Sequence, residues 1–179
     1  VRHKNVSRVM QISGNCFVPI SELNSDRYYF SSINDIWGWA TWKRAWNLFE
    51  REVPDVDSKE LINRLVNYFP SREVARWFAR YVLEASAPDS QVWSTQWTLA
   101  MINNNGLTIV PQKNLVSNIG FISDATHMSG KAFDIYGTFE CGVIESRTLP
   151  KAIEANRDLD LQRFSTIKAT DLNLRSRPL

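Results

Sequence analysis

Six of the seven tryptophans in this chain lie in two short blocks. The first block is Trp37-Gly38-Trp39-Ala40-Thr41-Trp42, followed by Trp46, and the second is Trp93-Ser94-Thr95-Gln96-Trp97. Indole has a large apolar face and a single hydrogen-bond donor. It can therefore fill a core or stack on a flat ligand. Because Arg, Gln and Asn side chains accompany these blocks, the pattern suits a hydroxyl-rich ligand such as a sugar.

Length and composition favour one soluble domain. At 179 residues, with 44% apolar and 22% charged side chains, the chain can build one core and is too short for two ordinary domains. No stretch approaches the run of about 20 apolar residues that a membrane-spanning helix needs. The 21 basic and 19 acidic residues leave a formal charge of +2, so neither nucleic acid nor an anionic membrane is indicated as the main partner.

The cysteines and histidines are too few and too scattered to predict a structural zinc site. Cys16 and Cys141 are far apart in the sequence, and His3 and His127 are the only imidazoles. No spacing typical of metal ligands appears among them. Free thiols fit a reducing compartment, so we expect a cytoplasmic protein.

The spacing of apolar residues predicts an α/β fold with few strands and several helices. Strands are indicated by β-branched and aromatic runs bounded by Gly, Asn or Pro, and helices by apolar residues that recur every three or four positions. The predicted strands are 8–13, 28–30 and 107–110. The predicted helices are 40–50, 58–69, 72–85 and 92–102. A weak helix is expected at 149–157, and the polar tail from residue 165 is expected to lie on the surface or to be partly disordered.

Several motifs of this chain occur in the same order in a known family. They are Arg8-Val9-Met10-Gln11-Ile12-Ser13-Gly14-Asn15, Tyr28-Tyr29-Phe30-Ser31, the first tryptophan block from Ile36, Trp93-x-x-Gln96-Trp97, Asn104-Asn105-Gly106-Leu107-Thr108-Ile109-Val110-Pro111, Asn114-Leu115-Val116-Ser117-Asn118-Ile119-Gly120-Phe121 and Asp124-Ala125-Thr126-His127. Over residues 8–128 their order and spacing resemble the bacterial nucleotide-diphospho-sugar transferases often labelled hemolytic protein HlpA-like. More distantly, the chain is similar to the acceptor half of eukaryotic N-acetylglucosaminyltransferase I.

The resemblance implies a glycosyltransferase of the GT-A type, which transfers a sugar from a nucleotide-diphosphate donor to a saccharide or other hydroxyl acceptor. The first half of such an enzyme is a nucleotide-binding sheet ending in an acidic Asp-x-Asp motif, which the first thirty residues here lack. Residues 1–130 would then be the acceptor-side portion, and residues 131–179 a partly irregular C-terminal extension. The missing amino-terminal half would bind the donor with a divalent Mn or Mg ion, so this chain alone is expected to be inactive.

The catalytic base is the weakest point of the resemblance. Relatives usually have an Asp directly after the first Trp of the Trp-x-x-Gln-Trp motif, whereas this chain has Ser94. A serine hydroxyl cannot accept a proton at neutral pH without help. Asp89 and Asp124 are the available stand-ins. Either another carboxylate substitutes, or the activity is lost.

The remaining candidates for substrate binding each have a structural alternative. Trp37 and Trp39 flank Gly38, which allows close backbone approach, so they could stack on a sugar or pack in the core. Trp42 and Trp46 recur at helical spacing, which favours packing. The other candidates are Asn15, Arg44, Gln96, Trp97 and Asn118. Each of these could contact a ligand or could serve the fold as a turn, core or solvated residue.

Asp124 and His127 match a segment that closes over the donor in many GT-A enzymes. An imidazole in that position can bind the metal or the diphosphate. The alternative is an ordinary surface histidine near a glycine-bearing loop.

Two other functions compete with an enzyme fragment. A non-catalytic carbohydrate-binding or scaffold remnant is favoured by the absence of the base and of the metal motif. A membrane-active protein, which the label hemolytic suggests, is disfavoured by the balanced charge and by the lack of a basic amphipathic helix.

Overall fold

The computed structural model describes residues 2–18, 27–52, 58–85, 93–117, 139–145 and 147–175. These residues form one four-stranded mixed sheet and five helices, which confirms the predicted α/β class. The strands are β1 (Val9–Ile12), β2 (Tyr28–Ser31), β3 (Ala40–Thr41) and β4 (Leu107–Pro111). The helices are α1 (Lys43–Trp46), α2 (Ser58–Tyr68), α3 (Arg72–Ala85), α4 (Trp93–Asn103) and α5 (Arg157–Arg175). Within the described ranges, no helix combines the length and the apolarity required to cross a bilayer.

The sheet has the strand order β2-β4-β1-β3. β4 runs parallel to β1 and antiparallel to β2, while β3 runs antiparallel to β1. The carboxyl ends of parallel neighbours lie at the same edge of a sheet. Because Ala40 of β3 pairs with Ile12 of β1, the residues that precede β3 lie beside those that follow β1. We call this region, where residues 13–15 meet residues 37–39, the strand-end edge.

α4 and α5 cover one face of the sheet. Met10 of β1 packs with Trp97 of α4, and Tyr29 of β2 packs with Leu159 of α5. Successive side chains of a strand point to opposite faces. The neighbouring strand residues therefore form a separate buried cluster on the other face, which contains Val9, Phe30 and Leu107.

The helices α2, α3, α4 and α5 share a second apolar core. The apolar residues of α2 and α3 supply most of its buried members, which confirms the two helices predicted at 58–69 and 72–85. The buried members are Leu61, Leu65 and Phe69 from the α2 segment, Val74, Ala75, Phe78, Ala79 and Val82 from α3, Leu99 and Ile102 from α4, Phe164 from α5, and Ile33 from the segment after β2. α4 is buried over almost its whole length, so it joins this core to the sheet.

The helix predicted at residues 40–50 is wrong in extent. Ala40 and Thr41 form β3, Trp42 has extended dihedral angles, and helix α1 covers only Lys43–Trp46. Pairing with β1 takes the first two residues, and the Thr41 hydroxyl donates to the Met10 carbonyl at 2.6 Å. The aromatic residues of this segment recur every three or four positions because they pack together, although they do not lie on one continuous helix.

The weak helix expected at 149–157 is wrong, because residues 149–156 are not helical. The tail from residue 165 was expected on the surface or partly disordered, and its residues up to Arg175 belong to α5, the longest helix described. Leu159 and Phe164 of α5 are buried in apolar clusters, as expected for a core helix. Asp160 and Arg163 lie on the same buried side and are fully buried. Two charged residues on the core side hide the apolar period that would reveal this helix in the sequence.

Candidate functional site

Two glycines allow three backbone segments to meet at the strand-end edge. The Gly14 carbonyl accepts a hydrogen bond from the Leu115 amide at 2.8 Å. A Cβ added at Gly14 would lie 2.6 Å from the Gly38 carbonyl oxygen, and one added at Gly38 would lie 2.5 Å from Val116. Gly38 also has a φ of +54°, a conformation that glycine adopts at little cost. The predicted close backbone approach at Gly38 is therefore present, but its partner is the chain itself.

Asp35 brings a carboxylate to this junction, and the sequence patterns did not predict it as a site residue. Its Oδ1 accepts a hydrogen bond from the backbone amide of Trp37 at 3.0 Å. The side-chain amide of Asn15, oriented with its nitrogen toward the surrounding acceptors, also donates to this oxygen at 2.9 Å. Its Oδ2 pairs with Arg163 at 3.0 Å. Burial raises the pKa of Asp35, and the Arg163 guanidinium acts in the opposite direction. Both oxygens therefore serve the fold, because they hold the loop before β3 in place.

A buried charge network, formed by Asp35, Asp160 and Arg163, ties that loop to α5. The Asp160 carboxylate accepts hydrogen bonds from the Ser31 hydroxyl, from the Ser32 hydroxyl at 2.7 Å and from the Ser32 amide at 2.9 Å. Arg163 donates to the Ile33 carbonyl at 3.2 Å as well as to Asp35. These contacts extend from the end of β2 to the loop that carries Trp37. The network thus positions the polar side of the strand-end edge.

Four tryptophans from both sequence blocks form one cluster, which we call the tryptophan cluster: Trp39, Trp46, Trp93 and Trp97. The Trp39 ring lies nearly parallel to Trp93, with centroids 5.7 Å apart, and its centroid is 6.0 Å from Trp46 and 5.6 Å from Trp97. Trp93 and Trp46 are 42% and 41% exposed, whereas Trp97 is completely buried. Grouped indoles that leave two members in solvent form a surface suited to stacking on a flat ligand.

Three tryptophans, two from the first block and one from the second, are held by contacts within the fold. Trp37 packs edge-to-face on Phe17, with centroids 5.6 Å apart, and lies outside the tryptophan cluster. Trp42 packs against the cluster that contains Val9, and the Arg44 guanidinium lies 5.0 Å from its ring centroid. Trp97 donates its indole N–H to the Gln11 side chain at 2.6 Å. Among the predicted tryptophans, Trp39 therefore has the neighbours expected of a binding surface, while Trp37 and Trp97 are packing residues.

Arg44 is not a solvated charge. Its guanidinium donates to carbonyl oxygens of the amino-terminal segment, those of His3, Lys4, Val6, Ser7 and Val9, at distances of 2.5–3.5 Å. All three guanidinium nitrogens, Nε, Nη1 and Nη2, donate to these carbonyls, and Nη2 lies within reach of three of them. These contacts give Arg44 a structural role, which holds residues 3–9 against α1, while its substrate-binding role stays a prediction.

The two polar candidates on α4, Ser94 and Gln96, differ in burial and in hydrogen bonding. Ser94 is partly buried in the first turn, and its carbonyl accepts a hydrogen bond from the Thr98 hydroxyl at 3.0 Å. Gln96 is 8% exposed and lines a groove of about 230 Å³ beside α4. Among the described residues, no donor reaches its Oε1. Gln96 is therefore the predicted polar residue best placed to receive a ligand.

Four predicted site residues lie outside the described part of the chain: Asp89, Asn118, Asp124 and His127. Within the described part, no three His, Cys, Asp or Glu side chains are grouped to hold a metal ion. An Asp-x-Asp order does occur at Asp158-Leu159-Asp160, but hydrogen bonds from Ser31 and Ser32 occupy the Asp160 carboxylate. The described residues therefore do not fit the Mn or Mg ion, which stays a prediction for a complete enzyme.

Replacing Gly38 with alanine should test the junction at the strand-end edge. We expect the free energy of unfolding to fall by about 2–5 kcal/mol, from about 1–2 for the positive φ and about 1–3 for overpacking against Val116. Urea unfolding followed by fluorescence measures the change. Gly142→Ala is the control, because its added Cβ would meet only the Lys113 side chain, at 3.4 Å, and we expect a change within about 0.5 kcal/mol. Equal losses for both variants would show that the junction is not tightly packed.

Comparison with known proteins gives no independent assignment. No protein-family model, no curated protein and no solved structure matches this chain. The functional interpretation therefore depends on the geometry described above and on the motifs of the sequence.

Proposed function

We propose that this chain is the acceptor-side portion of a sugar-nucleotide-dependent glycosyltransferase of the GT-A type, and that the tryptophan cluster receives a saccharide acceptor. The supporting observation is that Trp39, Trp46 and Trp93 come together from distant parts of the sequence while two of them remain in solvent. Packing alone would favour burying such large apolar rings. An exposed aromatic surface beside hydrogen-bonding side chains is the expected form of a sugar-binding site.

Transfer of a sugar to a hydroxyl also requires a base. The acceptor hydroxyl must lose its proton to a base as the bond to the activated sugar forms. Asp35 is unsuited to this role because Arg163, Asn15 and the Trp37 amide engage its oxygens. Ser94 has no carboxylate to offer. Asp89 and Asp124 remain as the candidate bases named from the sequence, and both lie outside the described ranges. Donor and metal binding would belong to another half of the enzyme.

A non-catalytic carbohydrate-binding protein is the second candidate function. The observation that favours it is the engagement of Asp35, since the fold then holds the carboxylate at the strand-end edge and this group cannot serve as the base. Both candidates require the tryptophan cluster to bind saccharides. They differ in whether a sugar is transferred.

Substituting Trp93 tests the requirement that both candidates share. Calorimetry of the wild-type chain against a panel of oligosaccharides should identify a bound glycan, and Trp93→Ala should weaken its binding by about tenfold through loss of the stacking face. We expect the stability of this variant to change by no more than about 1 kcal/mol, because the side chain is 42% exposed. Leu83→Ala is the control: Leu83 is 49% exposed on α3, outside the tryptophan cluster, and its loss should leave binding unchanged.

A transfer assay on the complete gene product separates the two candidates. The protein is incubated with nucleotide sugars, Mn²⁺ and the glycan identified by calorimetry, and released nucleoside diphosphate is measured. Glycan-dependent release supports the transferase. Glycan binding without release supports the carbohydrate-binding protein, and absence of binding to any glycan contradicts both.

A further inference from the structure

The groove beside α4 has a chemical character of its own. The segment that follows α1 forms one wall with Asn47, Glu50 and Glu52, and α4 with the turn after it forms the other with Gln96, Asn103 and Asn104. Its volume of about 230 Å³ is below the range of about 300–1,000 Å³ that holds drug-sized ligands. The groove therefore suits one small chemical group or one sugar unit.

The lining of this groove combines two carboxylates with four side-chain amides, and the Asn103 amide oxygen already accepts a hydrogen bond from Arg64 at 2.9 Å. Glu50 and Glu52 bring two carboxylates, and no Lys or Arg is among the described residues that line the groove. Gln96 adds an acceptor that is buried and unsatisfied within the described part of the chain. A buried acceptor without a donor lowers stability, so a ligand that brings a donor gains from reaching it. The matching ligand is rich in donors and carries a positive charge or none.

The groove adjoins the tryptophan cluster. Trp46 directly precedes Asn47 in the chain, and Trp93 lies three residues before Gln96, a spacing that places two side chains on the same side of a helix. A saccharide stacked on the exposed indoles can therefore extend one substituent or one sugar unit toward the groove. Continuity between the two surfaces makes them parts of one binding region.

We propose that the groove is a subsite for the protonated amine of an amino sugar, an inference that rests on the proposed saccharide-binding function. An ammonium group has three donors, which matches Glu50, Glu52 and Gln96, and its hydrogen bonds to carboxylates are charge-assisted. An N-acetylated amine has no charge and a single N–H donor. Phosphorylated and carboxylated sugars would be repelled by the two glutamates. The subsite thus selects for a free amine.

Two trimers that differ only in acetylation test this selection. Calorimetry at mildly acidic pH and low salt compares the glucosamine trimer with the N-acetylglucosamine trimer. We expect the wild-type chain to bind the amine trimer at least about tenfold more tightly, because charge-assisted hydrogen bonds are about twice as strong as neutral ones. High salt should reduce this preference.

Removing the charge of the groove should abolish the preference. The double variant Glu50→Gln/Glu52→Gln is expected to bind both trimers with affinities within about twofold of each other, since neutral amides give no charge-assisted bond. The charge-matched control is the double variant Glu140→Gln/Glu145→Gln at two exposed residues outside the groove, which should keep the preference of the wild-type chain.

Gln96→Leu tests the contribution of the unsatisfied oxygen. The variant should keep or raise the melting temperature, because it removes a buried acceptor that has no donor, and it should still weaken binding of the amine trimer by about tenfold. A merely structural role for Gln96 predicts a lower melting temperature with unchanged amine preference, which would contradict its place in the subsite.

The outcomes separate this inference from the proposed function. Equal binding of the two trimers by the wild-type chain, or a preference that survives in the double variant, would overturn the subsite while Trp93-dependent glycan binding still supports the proposed function. Binding of other glycans but of neither trimer would do the same. Failure to bind any glycan would overturn both.

Discussion

Replacing Trp97 with alanine is expected to lower the free energy of unfolding by about 3–5 kcal/mol, the range for removing a fully buried aromatic side chain. Trp97 has no exposed surface and packs with Met10, Ala45 and Met101. Its indole N–H donates to the Gln11 side chain, and the Gln11 amide donates in turn to the Asp35 carbonyl. The substitution therefore leaves a cavity and also breaks the link from α4 through β1 to the loop before β3. Urea unfolding measured by circular dichroism gives the change.

Two further variants interpret the Trp97 result. Trp97→Phe keeps a ring and removes the donor, so it should cost about 1–3 kcal/mol for the unsatisfied Gln11 oxygen. Trp93→Ala removes an equally large side chain that is 42% exposed, and we expect it to cost no more than about 1 kcal/mol. If Trp97→Ala were no more harmful than Trp93→Ala, the division of the tryptophan cluster into buried and exposed members would be wrong.

Replacing Arg163 with alanine is expected to lower the free energy of unfolding by about 3–5 kcal/mol, because it leaves buried carboxylates without their counter-ion. Arg163 is fully buried, and it is the cation that pairs with Asp35 and donates to the Ile33 carbonyl. Burial raises the pKa of Asp160, and the positive charge of Arg163 acts in the opposite direction. Without Arg163, the charged form of Asp160 loses this compensation. Denaturant unfolding at neutral pH measures the effect.

Lys168→Ala is the matched control on the same helix. Lys168 pairs with Glu73, but both side chains are largely exposed, and surface ion pairs contribute about 0–1 kcal/mol. The two variants remove one basic residue each from α5. Similar losses for both would mean that water reaches Arg163 and that the buried charge network is not what fixes the loop before β3.

The elements that could be predicted from the sequence are those whose burial is purely apolar. α2 and α3 each bury one stripe of aliphatic and aromatic residues, so the period of three to four residues is visible in the sequence. β1, β2 and β4 are similarly marked by short apolar or aromatic runs, and the runs of β1 and β4 stop at Gly14 and Pro111. In these segments the local pattern and the tertiary environment favour the same structure.

Long-range pairing and buried charge account for the elements that could not be predicted. β3 has two residues and depends on pairing with β1, which no local pattern records. Asp160 and Arg163 lie on the buried side of α5, so the sequence of this helix lacks a continuous apolar stripe. The role of Asp35 is likewise visible only through Arg163, which lies 128 residues further along the chain.

The candidate site was predicted in part. Grouping of tryptophans from both sequence blocks could be anticipated from their type, and the structure brings Trp39, Trp46, Trp93 and Trp97 together. Which indoles remain exposed depends on how α4 packs on β1, and that is a tertiary property. Arg44 could not be assigned from sequence, since the carbonyls that it binds belong to a segment 35 to 41 residues before it.

The reach of α5 back to β2 also bears on how the protein is made. A ribosome delivers Ser31 and Asp35 long before it delivers Asp160 and Arg163, the partners that neutralise and satisfy them. Contacts of such wide sequence separation form late, because loop closure must precede them. Until α5 has been synthesised, the nascent polypeptide therefore lacks the contacts that hold the strand-end edge in place. Premature termination before residue 157 would yield a product in which the loop before β3 has no anchor.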